Sequence, residues 1–221
     1  MSGLFLKLLT WLSPSFPVGG FSYSHGLEAA IHTGAVHDRA SLHAWIAALI
    51  AHGSGWTDAV LLAEAWRASA SADAPRLVDT AELADAMAPS LERRRETLSQ
   101  GAAFLTAARA WRAEGLLPAY GEPTPYCVAV GATAAAHAVP LDATLTAWLH
   151  AFASNLTSIA LRAVPLGQTD GVAVLAGLEP LILDTAARAA ASSLDDLGAC
   201  ALMSDIASMR HETQHVRLFI S

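Results

Sequence analysis

Charge is the first thing this chain is short of. Of its 221 residues only 15% are Asp, Glu, Lys or Arg, against about 25% in an ordinary globular chain, and Lys7 is the one lysine among 13 basic residues. The net charge is -7, and the one basic cluster, Arg93 to Arg95, is flanked by Glu92 and Glu96. Binding driven by phosphate needs a basic stripe, so nucleic acid is excluded as a partner. Long apolar runs are missing too. The longest candidate, Cys127 to Leu141, is alanine-rich and carries His137 and Pro140, which argues against a membrane-spanning helix. No secretion signal is evident at the N-terminus. The two cysteines, Cys127 and Cys200, lie far apart without CxxC spacing and read as reduced, packed thiols of a cytoplasmic protein. Nucleotide-binding and nucleophile motifs are also lacking. Lys7 sits in no glycine loop, and Gly53-Ser54-Gly55 is not a nucleophile elbow.

What is abundant is apolar side chain, 53% of the residues, much of it alanine. A chain of this length can bury roughly 70% of its unfolded surface. Either the helices are unusually well buried against one another, or a large apolar face waits for a partner. The scarcity of charge favours the second, and with it a homodimer or larger complex. Helical spacing runs almost throughout. Leu42, Trp45, Ile46, Leu49 and Ile50 follow it, with Ser41 as a candidate N-cap. Further helices are expected around Val60 to Trp66, after Pro75, from Ser90 to Trp111, from Tyr126 to His137, from Pro140 to about Ala163 and from Thr169 to Ala191. Ser193 with Asp196 reads as a capping box opening the last helix. Gly115, Pro118, Gly121, Pro123 and Pro125 make the clearest break, over 115–125. The expectation is an all-α, single-domain array of about ten helices over residues 1–221, without significant sheet.

The sharpest enzyme-like string is His211 to His215 (HETQH), a literal HExxH. On a helix this spacing puts two imidazoles on one face with a glutamate free to act as general base on zinc-bound water. A third ligand is needed, and none of the residues after His215 is His, Asp, Glu or Cys. A solvated or partner-facing tail is the better reading. The nine histidines are otherwise scattered and propose neither a metal site nor a catalytic residue.

Two segments are too specific for a generic helix array. Ser13 to Glu28 (SPSFPVGGFSYSHGLE) combines Pro14 and Pro17, which fix φ, with Gly19 and Gly20, which permit a sharp turn. Ser22 or Ser24 can cap a helix containing Leu27. A mere connector does not need Phe16, Val18, Phe21 and Tyr23 together, whereas apolar anchors on a rigid loop suit an interface. The second segment, Met209 to Ser221, ends in Val216, Arg217, Leu218, Phe219 and Ile220. Such side chains are costly in water and must pack on the domain or on a partner. Arg217 beside Leu218 and Phe219 has the make-up of a hot spot, and the free protein is expected to hold this tail loosely.

These two segments resemble the N- and C-terminal signatures of the UreF family, and Pro165 to Gly171 (PLGQTDG) is similar to its central motif. The three occur in the family's order across nearly the whole chain. Departures are Val172, where polar residues are common, and His25, where Gln is frequent. The resemblance implies an all-α dimer without catalytic residues or intrinsic cofactor. It further implies assembly with a UreD-type accessory protein (UreH in some species), recruitment of a UreG-type GTPase, and action on apo-urease, with nickel handled by the assembled complex. The residues it marks for partner binding are Phe16, Phe21, Tyr23, His25, Glu28, Gln168, Asp170, His211, Gln214, Arg217, Leu218 and Phe219. Two readings from other classes stand beside it: a zinc metallohydrolase using residues 211–215, and a helical protein holding a small molecule in its apolar interior.

Overall fold

The computed structural model describes residues 2–111, 123–198 and 200–220. Among these the chain is helical, with no strand: α1 (Ser2–Trp11), α2 (Leu27–His32), α3 (Arg39–His52), α4 (Ser54–Ala70), α5 (Ala74–Ala86), α6 (Leu91–Ala108), α7 (Tyr126–Ala136), α8 (Leu141–Ala163), α9 (Gln168–Ala191) and α10 (Leu202–His211). Short 3₁₀ turns occur at Gly20–Ser22 and Leu194–Asp196. The all-α class expected from the spacing is what forms.

α4 is the central helix. It packs most closely along α7 and also touches α3, α5, α8 and α9. α7 is buried from Cys127 to Ala134, and a helix apolar all round belongs in an interior. A Cβ added to Gly131 would sit 2.4 Å from the Leu62 carbonyl oxygen, so the two backbones touch and only glycine fits there. This close packing is where much of the alanine and glycine is used. One contiguous cluster of buried side chains runs from Leu8 in α1 to Phe219 in the tail. Contrary to the expected lack of long apolar runs, residues 39–70 are long and apolar enough to span a membrane; most of their apolar window is buried as α3 and α4 of the core.

Helix ends follow local chemistry, not always as expected. α3 is capped by Asp38, whose carboxylate accepts from the Ser41 N–H at 2.8 Å; Ser41 is the third helical residue and completes a capping box. Ser90 caps α6, and Pro75 lies in the first turn of α5. Ser193 and Asp196 do form a capping box, but it opens the 3₁₀ turn, and α10 starts only at Leu202. Pro180 lies inside α9. α1 is a further element that the spacing had not marked. Most of the expected break at 115–125 lies outside the described residues; its last part leads through Pro125, the N-cap of α7. Cys127 is buried, as a packed thiol should be, whereas Cys200 is exposed.

Candidate docking face

The proline–glycine segment leaves α1 and doubles back under α8. Phe16 is only 7% exposed and packs on the rings of Phe104 and Trp111, at 5.5 and 6.2 Å, so it props the loop from inside and does not face outward. Gly19 takes a left-handed φ of +73°, which turns the chain into the 3₁₀ turn and leaves Phe21 64% exposed. From α8, Asn155 donates to the Gly20 carbonyl at 3.1 Å and Arg162 to the Phe21 carbonyl at 2.7 Å. Tyr23 is half-buried. The cap of α2 is Gly26, also left-handed at φ +75°, where a serine had been expected; the Ser24 hydroxyl instead accepts from the Glu28 N–H at 3.3 Å. A Cβ on Gly26 would lie 2.6 Å from the backbone nitrogen of Ser208, so this residue also lets α2 meet α10.

α10 delivers the chain end to the same place. His211, the last residue of α10, is fully buried. Its Nε2 faces the Glu28 carboxylate at 3.0 Å and its Nδ1 faces Glu92 at 2.7 Å. Because α10 ends here, His215 is not one helical turn further along the same face, and the two nitrogens of His211 are already engaged by carboxylates. The HETQH string therefore lacks the geometry of a zinc helix. Beyond it, Glu212 accepts from the Leu91 N–H at 2.9 Å at the start of α6, where a carboxylate is favoured by the helix dipole. Gln214, half-buried, donates to the Val216 carbonyl.

Glu28 then pins the tail to the loop. Its carboxylate accepts from the Leu218 and Phe219 backbone N–H groups at 2.7 and 3.1 Å, and the Ile220 N–H donates to the Ser22 carbonyl at 2.7 Å. Arg217 donates to Glu92 at 2.6 Å. Phe219 is buried beneath the Arg162 guanidinium, 4.7 Å from its ring centroid. The tail is thus seated on its own domain, where a buried carboxylate is satisfied by several donors at once. Phe21, Val216, Leu218 and Ile220 remain outward, the last three at 81, 72 and 59% exposure.

Of the twelve residues marked in the sequence, the structure therefore gathers ten at this junction and sorts them. Phe16, His25, Glu28, His211 and Phe219 are buried, Glu28 and His211 joining the loop to the tail and Phe16 and His25 turned to the interior, while Phe21, Arg217 and Leu218 are exposed and Tyr23 and Gln214 half-buried. Gln168 and Asp170 stand elsewhere, at the corner between α8 and α9. Asp170 accepts from the Gly167 N–H and pairs with Arg39 at 3.6 Å, and among the described residues no hydrogen bond links this corner to the loop or tail. Glu92 and Arg162 carry contacts here that no sequence signal marks. Glu92 looked like a mere neutraliser of the adjacent arginines, and Arg162 sits in no motif.

Beside the face, a cleft of about 400 Å³ opens between α1, α6 and α8, lined by Phe5, Leu9 and Phe21 and by a polar group of His25, Asp58, Arg93 and Glu96. Arg93 pairs with Glu96 and lies 2.8 Å from His25 Nδ1. Burial and then the Arg93 charge hold His25 below its usual range. Burial opposes ionisation of Glu96, but Arg93 and His25 outweigh it and hold the carboxyl at about 2. Burial lifts Asp58 to about 6.

Comparison with known proteins places the sequence in a family. The UreF family model matches residues 36–179. The urease accessory protein UreF of Rhodopseudomonas palustris (strain TIE-1) is 52% identical over 100% of this chain and 93% of its own length. Those of Mesorhizobium japonicum and Agrobacterium fabrum are 52 and 53% identical, each over 98% of this chain and 96% of theirs. The family match spans the α8–α9 corner, and the full-length alignment with the first relative also takes in the loop and the tail that Glu28 joins. A non-enzymatic role follows, for the chain belongs to the UreF family of urease accessory proteins.

Proposed function

We propose that this chain works in urease maturation as a docking subunit. The loop-and-tail face binds a UreD/UreH-type accessory protein, and the assembly recruits and regulates a UreG-type GTPase for nickel insertion into apo-urease. Nickel is cargo of the assembled complex, not a resident ligand of this chain. The observation that carries the reading is the junction of two segments far apart in sequence, with Phe21, Val216, Leu218 and Ile220 left exposed around buried Phe219. Apolar side chains presented on a pinned backbone are suited to an interface, because little ordering cost remains on binding. Further exposed apolar residues, Phe5, Leu6 and Leu9 on α1 and Val172 and Leu183 on α9, offer surface for a homodimer. The test is capture of the UreD/UreH-type and UreG-type proteins by Leu218→Asp and Phe21→Asp variants, with urease activation measured alongside. Both positions are exposed, so melting should be nearly unchanged. Capture and activation should fall together. Normal capture by both variants would show that this face is not the docking surface.

A further inference from the structure

Arg162 belongs to no signature segment, yet from α8 it touches both of them. Its Nη2 donates to the Phe21 carbonyl at 2.7 Å, its Cζ lies over the Phe219 ring 4.7 Å from the centroid, and its Nε donates to the Ser158 carbonyl of its own helix at 3.4 Å. Among the described residues no carboxylate pairs with it. An exposed arginine without an acidic partner would ordinarily extend into water. Here one nitrogen donates to a loop carbonyl while the guanidinium carbon lies over an aromatic ring, a combination that the single-point charge of a lysine ammonium reproduces poorly. Glu28 holds the tail backbone from α2, through the N–H groups of Leu218 and Phe219. Arg162 closes over the same tail from α8, so Phe219 is gripped from two helices, and Phe21 is held in register with it.

We propose that Arg162 is a positioning residue for partner docking: it acts through Phe21 and Phe219 to set the loop and the tail as one surface, and touches the partner only through them. The inference rests on the docking reading above. Arg162→Ala, Arg162→Lys and the surface control Leu218→Asp are compared with the full-length protein in titration against the UreD/UreH-type protein. Hydrogen exchange of residues 216–220 in the free chain is measured in parallel. Arg162→Ala should leave the melting temperature nearly unchanged, speed tail exchange and weaken binding at least about tenfold, the order expected for a charged hydrogen bond plus a cation–π contact. Arg162→Lys should recover only part of that loss; full rescue by lysine would mean that charge alone matters and would overturn the positioning role. Weakened binding with unchanged tail exchange would also overturn it, because Arg162 would then be a direct contact. Wild-type binding by Arg162→Ala while Leu218→Asp fails to bind would refute this inference and leave the docking reading standing. Wild-type binding by Leu218→Asp as well would refute the docking reading itself.

Discussion

Phe16 and Phe21 sit in one proline–glycine loop and meet opposite surroundings. The first is enclosed by Phe104 and Trp111 of the core; the second projects from the 3₁₀ turn. Phe16→Ala is therefore expected to cost about 3–5 kcal/mol in a denaturant melt, and Phe21→Ala less than about 0.5 kcal/mol. Partner capture should be lost in the Phe21 variant even though it stays folded. Nothing in the local sequence separates these two aromatics, since burial of Phe16 depends on side chains contributed by α6 and the segment after it. The same holds for Glu28 and His211, which the sequence marked for partners and which the fold uses on itself. A second residue-scale test concerns Asp58. Burial raises its carboxyl from 3.8 to about 6, so the folded chain holds the proton more tightly than the unfolded one. Its destabilising effect is absent below about pH 4 and grows as pH rises through 6. Asp58→Asn should raise the melting temperature at neutral pH, and the gain should vanish near pH 4. Glu96 has the opposite sign: held at about 2, it stabilises above its ordinary 4.5, and that contribution is lost as pH falls toward 2.

At the scale of elements, helical periodicity made most of the bundle readable. α8 runs from Leu141 to Ala163, where Pro140 and Pro165 bracket it, and α7 ends next to the expected His137. Where the reading slipped, a competing local interaction was responsible. Asp38 outcompetes Ser41 as a cap because its carboxylate reaches forward to the Ser41 N–H, and the Ser193 box is satisfied by a single 3₁₀ turn. The HETQH string reads as a helix face in one dimension, but the helix stops at its first histidine. What no periodicity reveals is the crossing of α2 and α10, which depends on Gly26. Gly26→Ala would force a side chain into a left-handed φ and against Ser208. Strain of about 1–2 kcal/mol from the backbone and a further 1–3 kcal/mol from overpacking are expected. A thermal or urea melt checks this, and limited proteolysis should show α10 and the tail released before the rest of the fold.

For the whole molecule, the low charge content has two outlets. Part of the apolar composition disappears into the close contact of α4 with α7, where glycine and alanine let backbones approach. Much of the remainder lies outside, on α1, α9, α10, the loop and the tail. The sequence pointed to a surface of this kind but not to its location, because the loop and the tail are brought together only by the path of α2, α8 and α10. Whether loop and tail form one pre-assembled face is tested most directly by hydrogen exchange of the free full-length chain, repeated with the UreD/UreH-type protein bound. The backbone N–H groups of Leu218, Phe219 and Ile220 should already be protected in the free chain, since all three are hydrogen-bonded within it. Both segments should then gain protection together on binding. Exchange of the free tail at the rate of an unstructured peptide would contradict the account, as would protection of one segment without the other in the complex.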